Sequence, residues 1–183
     1  AFRWASGAIP ASKAAPAASR LFLNRRDGAD AGGAPGPAQG YTDSAGAFGL
    51  ALPDTPIAAV LYVELDNDRD LDLVVTPARG KPRLWNNHRA GKGTWLEADA
   101  TGLDVEGCVG LTAGDVDKDG RQDIVAFSGK KLRLFLNRGG MRFEPDRVNA
   151  ERLGALGGTS GQWADMDNDG DLDLVVADAH RRD

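Results

Sequence analysis

The chain has 183 residues, 42 % of them hydrophobic and 27 % charged, with 22 basic and 27 acidic side chains for a net charge of −5. This is enough for one domain with a real core; a single cysteine, Cys108, excludes an internal disulfide framework, and no apolar run is long enough for a transmembrane helix. The negative total charge and the lack of a recognition motif exclude nucleic-acid binding.

Residues 5–19, ASGAIPASKAAPAAS, read as a linker or extended arm, which sets 1–19 apart. Three matching segments then occur along the chain: RLFLN at 20–24, RLWNN at 83–87 and RLFLN at 133–137. Each alternates apolar with polar residues, as a half-buried strand does. A looser set follows them, TDSAGAFGL (42–50), LEADATGL (96–103) and FEPDRVNAERLG (143–154), with a short helical turn expected in 147–154. Short apolar segments, AAVLYVE, CVGLTAGD and SGQWAD, lead into three acidic stretches, and strand-like runs DLVV, DIVAF and DLVV follow them. The second run continues into a hairpin turning at Ser128-Gly129-Lys130. The chain thus divides into repeats 20–80, 81–130 and 131–183. The first is lengthened by a Gly/Ala/Pro-rich loop, 25–40, which is either an excursion or a contact loop for a partner. A period near 50 residues with about four strands per unit is the signature of a β-propeller blade. The expected fold is all-β, with roughly three blades of about four antiparallel strands and the start of a further blade at the C-terminal end. Propellers usually need four to eight blades, so the chain is expected to be a processed piece of a longer chain or one part of an assembly.

The acidic stretches are ELDNDRDLD (64–72), DVDKDGRQD (115–123) and DMDNDGDLD (165–173). Two carboxylates about 4 Å apart repel by about 1 kcal/mol in water and about 4 kcal/mol near a protein surface. A solvated acidic tail has no reason to keep a period, so the repetition points to cation-binding loops. Calcium takes six to eight oxygen ligands. Side chains at alternate positions 1, 3 and 5 of a tight loop can turn to one centre, and glycine at position 6 reaches positive φ without a Cβ clash. Position 7 would offer its backbone carbonyl: it is Asp70, Arg121 and Asp171, and an arginine side chain cannot be a ligand. Position 9 is Asp72, Asp123 and Asp173, the natural bidentate closer. Magnesium demands a near-ideal octahedron and keeps its waters, which favours calcium, and no Cys/His cluster suits zinc. In an EF-hand an acidic residue closes the loop at position 12, where this chain has Val75, Ala126 and Val176.

The repeats resemble FG-GAP/VCBS-type calcium-binding repeats, the blades also found in the integrin α-subunit head, and the resemblance spans about 20–178. It implies a cation in a loop between the first two strands of a blade, held by Glu64, Asp66, Asp68 and Asp72; by Asp115, Asp117, Asp119 and Asp123; and by Asp165, Asp167, Asp169 and Asp173, with the carbonyls of Asp70, Arg121 and Asp171. Up to three Ca²⁺ are therefore expected. The first copy departs from the pattern, with Glu64 at position 1 and Arg69 at position 6. The 165–173 loop carries −5, the 64–72 loop −4 and the 115–123 loop, with Lys118 and Arg121, −2. The 165–173 site is expected to bind tightest, and strain at Arg69 to weaken the 64–72 site.

Outside the three loops the chain holds 13 acids and 19 bases, so the remaining surface is mildly basic. The two histidines, His88 and His180, each adjoin an arginine, and no nucleophile elbow, P-loop or dinucleotide fingerprint is present. A catalytic site is rarely triplicated, so the chain is expected to be non-catalytic. The expected role is a calcium-binding scaffold for another protein, in the bacterial periplasm, at the cell surface or secreted. The alternatives are an accessory subunit of a larger membrane-associated complex and a glycan-binding module using Trp85, Trp95 or Trp163.

Overall fold

The period-two alternation of the repeats becomes a series of short strands joined by tight loops. The computed structural model describes residues 22–25, 40–43, 45, 46, 49–52, 55–88 and 93–177. In chain order these form β1 (Phe22–Arg25), β2 (Gly40–Asp43), β3 (Ile57–Val63), β4 (Asp72–Pro77), β5 (Arg83–Asn87), β6 (Gly93–Glu97), α1 (Ala98–Thr101), β7 (Gly110–Gly114), β8 (Asp123–Phe127), β9 (Leu132–Asn137), β10 (Phe143–Pro145), α2 (Ala150–Gly154), β11 (Ser160–Ala164) and β12 (Asp173–Ala177). The arm 1–19, most of the inserted loop and residues 178–183, including His180, lie outside the described residues.

Among the described residues all strand pairings are antiparallel between sequence neighbours. They give two complete four-stranded sheets, β3-β4-β5-β6 and β7-β8-β9-β10, flanked by two strand pairs, β1-β2 and β11-β12. The molecule is therefore nearly all-β and built of propeller-like blades. The RLWNN segment is the third strand of the first complete sheet, and the 133–137 segment lies in the third strand of the second. The sheets span 57–97 and 110–145, two strands out of phase with repeats counted from 20, 81 and 131.

The sheets stack face to face. Val74 and Leu84 of one and Ile124, Ala126, Phe135 and Phe143 of the next enclose a common core with Leu65, Leu103, Val105, Cys108 and Met141. On the far side of the second sheet, Val125, Phe127, Leu132 and Leu134 meet Trp163, Leu174 and Val176 of the β11-β12 pair. On the far side of the first, Ala45 and Leu50 cover Trp85, Leu73 and Trp95. β8 is sandwiched and buried at all five positions, whereas β12 alternates exposed with half-buried residues because one of its faces is covered. The first strands run side by side, β3 against β7 and β7 against β11. Glycine permits this approach, since a Cβ at Gly110 would lie 2.2 Å from the Thr159 carbonyl oxygen.

Two stretches differ from simple strands. In LEADATGL, β6 stops at Glu97 and α1 takes over; its ADAT sequence lacks the alternation a strand needs, and Thr101 is buried. In FEPDRVNAERLG, the carboxylate of Asp146 accepts the backbone N–H of Val148 (2.9 Å) and Asn149 (3.2 Å), which ends β10 in an Asx-type turn before α2. The expected hairpin closes through Ser128 N–H to the Lys131 carbonyl, 3.0 Å.

Candidate metal centre

Each acidic loop joins the first strand of a sheet to the second: 64–72 between β3 and β4, 115–123 between β7 and β8, and 165–173 between β11 and β12. Two left-handed residues turn each loop. Position 6 has φ 72° at Arg69, 82° at Gly120 and 88° at Gly170. Position 4, which the sequence reading passed over, has φ 64° at Asn67, 59° at Lys118 and 60° at Asn168. The signal was its asparagine in two copies, a residue that tolerates this region.

Inside each turn the carboxylates of positions 1, 3 and 9 converge. Glu64, Asp66 and Asp72, then Asp115, Asp117 and Asp123, then Asp165, Asp167 and Asp173 each bring ligand oxygens within 4.8 Å of one another. Position 5 is not in these groups of three. Its carboxylate accepts the N–H of position 7: Asp68 from Asp70 (2.9 Å), Asp119 from Arg121 (3.0 Å) and Asp169 from Asp171 (2.8 Å). Asp119 is also paired with the Arg121 guanidinium. Position 7 side chains point to other partners. Arg121 Nε donates to the Asn137 carbonyl at 2.8 Å, and Asp171 pairs with Lys118 of the neighbouring loop.

Position 9 ties the loop to its sheet. Asp123 is fully buried; Oδ2 accepts the Val116 N–H at 3.1 Å and Oδ1 the Asn137 N–H at 2.7 Å. Asp72 does the same with Leu65 (2.9 Å) and Asn87 (3.0 Å). In RLWNN and in the 133–137 segment the closing asparagine is thus the partner of the last loop aspartate through its backbone N–H, a role the repeat pattern displayed but did not explain. Asn137 goes further: its Nδ2 donates to Leu65 O of the adjacent sheet at 2.9 Å.

Burial opposes charge on these acids. It raises the Asp72 carboxyl from 3.8 to about 6, against the two backbone N–H bonds that lower it. Asp123 is raised for the same reason, and Asp66 by burial and then by Asp68. Lys118 is held above its ordinary value by Asp171, so its charge acts on the 165–173 loop as well as on its own.

The position-1 residue wraps its loop differently in the first copy. Asp115 accepts the N–H groups of Asp119 and Gly120 at 3.0 and 2.9 Å, and Asp165 those of Asp169 and Gly170 at 3.2 and 3.0 Å. Glu64, one methylene longer, accepts from Asp66 and Asn67 through Oε1 at 3.1 and 2.8 Å. Its Oε2 and Asp66 Oδ1 are buried without a hydrogen-bond partner.

Trp85, Trp95 and Trp163 pack against neighbouring side chains. Trp85 is buried and meets Trp95 edge-on, with ring centroids 5.1 Å apart. Trp95 donates its indole N–H to Gly49 O at 2.8 Å and carries Arg83 over its ring. Trp163 is half-buried against the second sheet.

A model of the FG-GAP-like repeat matches residues 65–126 and again 115–176, so each match runs from one acidic loop through the strand that follows the next. No curated protein matches the chain.

Proposed function

The chain belongs to the FG-GAP-like repeat family, and on that premise we propose that it is a non-catalytic scaffold whose acidic loops bind calcium and which recognises another protein outside the cytoplasm. Its four-stranded antiparallel sheets make it a propeller-type scaffold suited to protein interaction. The observation that carries the calcium reading is the convergence of three carboxylates in each of three equivalent turns. The buried, unpartnered oxygens of Glu64 and Asp66 add to it, because a buried carboxylate oxygen without a donor is costly unless a cation meets it. The donor set is all oxygen, in acidic loops without histidine or cysteine, which suits calcium over zinc. Glu64, Asp66, Asp72, Asp115, Asp117, Asp123, Asp165, Asp167 and Asp173 supply side-chain ligands in this reading. Asp68, Asp119 and Asp169 and the carbonyls of Asp70, Arg121 and Asp171 complete the shell. Calcium would neutralise each cluster and link the first two strands of its sheet. Sites of this kind fill at the millimolar calcium found outside cells. Among the described residues no helix is long and apolar enough to cross a membrane.

Equilibrium dialysis with metal analysis tests the reading. Three calcium ions per chain are expected, with a melting temperature that falls on chelation, since a ligand bound only by the folded state stabilises it by mass action. A chain that binds no calcium and melts identically with and without chelator refutes it.

A further inference from the structure

We infer that the side-chain oxygen of Asn86, on the third strand of the first complete sheet, is a calcium ligand of the 64–72 loop, so that this site is closed by its sheet as well as by its loop. The inference rests on the calcium reading above and goes beyond it by assigning a ligand from outside the acidic repeat.

The first loop presents its oxygens differently from the other two. Both oxygens of Asp115 accept backbone N–H groups, from Asp119 and Gly120, and both oxygens of Asp165 accept those of Asp169 and Gly170. Glu64 takes both of its N–H bonds on Oε1, which leaves Oε2 buried without a donor. Asp66 Oδ1 and Asn86 Oδ1 are in the same condition. Among the described residues these three are the only buried side-chain oxygens without a hydrogen-bond partner. One bond ties two of the three residues together: Asn86 Nδ2 donates to Asp66 Oδ2 at 3.2 Å. It holds the amide against the position-3 carboxylate while the carbonyl end of the same amide goes unsatisfied.

Folded proteins satisfy nearly all of their buried polar atoms, so three orphaned acceptors in one place call for a common partner. That partner is a cation in this reading, because every atom of the set is an oxygen acceptor, and a neutral amide carbonyl is an ordinary calcium ligand beside carboxylates. The strand register explains why the amide is there. β4 and β5 pair with Leu73 opposite Trp85, and the Asn87 N–H reaches Asp72 Oδ1 at 3.0 Å. Asn86 lies between these two fixed points, beside the end of the loop.

The second sheet lacks this feature. Matching RLWNN to RLFLN places Leu136 where Asn86 stands. Leu136 packs against the apolar cluster of Val125 and Phe127, and the position-3 carboxylate of Asp117 instead faces Arg138 NH1 at 3.7 Å. The third strand thus brings a neutral oxygen to one loop and a positive charge to the other. Asn86 offsets the two departures of the first loop, Glu64 and Arg69, by supplying a ligand that does not depend on the turn at position 6.

The test isolates the first site in the full chain by replacing the exposed position-3 residues of the other loops, Asp117→Ala together with Asp167→Ala. Asn86→Leu or Asn86→Asp is then added, with circular dichroism checking the fold of each and Asn86→Ala repeating the loss without added bulk. Titration calorimetry reads calcium affinity, and terbium luminescence lifetimes in light and heavy water read the water bound to the ion. The isolated site should bind one calcium. Asn86→Leu, which copies the second sheet, should weaken it at least about ten-fold, a loss that follows even from changes just outside a ligand shell, and should leave one more water on terbium. Asn86→Asp keeps an oxygen but loses the amide donor, and should hold the parent affinity to within that factor and the parent hydration. If Asn86 serves only as a donor to Asp66, Asn86→Asp weakens binding as much as Asn86→Leu. That result, an unchanged affinity and hydration in Asn86→Leu, or no binding at the isolated site while the unmodified chain binds calcium, overturns the Asn86 assignment and leaves the calcium reading standing. An unmodified chain that binds neither calcium nor terbium overturns both.

Discussion

Asn137 links one sheet to the next by a side-chain hydrogen bond to Leu65 O. It is fully buried; its side chain donates to Leu65 O and Gln122 O at 2.9 and 3.1 Å and accepts the Gly139 N–H at 2.9 Å. Asn137→Ala removes all three bonds but keeps the backbone N–H that serves Asp123. At about 0.5–1.5 kcal/mol net per bond, the loss is about 3 kcal/mol. Asn87 is the internal control, because its side chain makes one exposed bond to Leu71 O at 3.2 Å; Asn87→Ala should cost about 1 kcal/mol or less. Asn137→Asp keeps the acceptor for Gly139 but turns a carboxylate toward two carbonyls, and should be at least as damaging as alanine. Urea unfolding followed by circular dichroism measures all three, with an unchanged m-value showing that the unfolded state is not altered. If Asn137→Ala costs no more than Asn87→Ala, the bond between sheets is not what makes this asparagine important.

Asp123→Ala should remove one calcium per chain while Arg121→Ala leaves the count unchanged, as titration calorimetry would show; the reverse pattern refutes the ligand assignment. Lys118→Ala should tighten the 165–173 site at least as much as its own, because Lys118 pairs with Asp171; an effect confined to the 115–123 site contradicts this. Arg69 has φ 72°, where a side chain costs about 1–2 kcal/mol and glycine's extra unfolded-state freedom about 0.5–1 kcal/mol. Arg69→Gly should therefore stabilise the fold by about 0.5–1 kcal/mol in thermal unfolding, and a loss of stability would show that the arginine side chain contributes more than its backbone strain. For pH, the folded chain holds the Asp72 proton more tightly than the unfolded chain, with a value near 6 against 3.8. In calcium-free buffer its contribution is fully present below pH 3.8 and is lost as pH rises through 6, by up to about 3 kcal/mol; Asp66 and Asp123 act in the same direction. Denaturation at pH 5 and pH 7 checks this, and higher stability at pH 7 without calcium would refute it.

The acidic loops and the strand content were legible in the sequence because both are local. An Asx turn closes over two residues, as from Asp119 to the Arg121 N–H, and a strand declares its covered face by alternation, as in β7. The phase of the sheets was not legible in the repeat itself, and only the family resemblance implied it. A repeat looks the same wherever it is cut, and strand pairing alone decides that a sheet starts at β3 or β7 rather than at the RLxxN segments. The short helix α1 was hidden for a related reason, since ADAT has no strong pattern and takes its conformation from the sheet end it joins. At the candidate site, spacing brought out the carboxylates but not their division of labour. Positions 1, 3 and 9 converge while position 5 bonds the backbone, because side-chain direction follows from the left-handed residues at positions 4 and 6. The bond from Asn137 to Leu65 spans 72 residues, and the Lys118–Asp171 pair crosses from one blade to the next. Contacts of this kind exist only once neighbouring sheets have stacked, so the sequence determines each loop and strand by itself, and the stacking of sheets decides which of them act together.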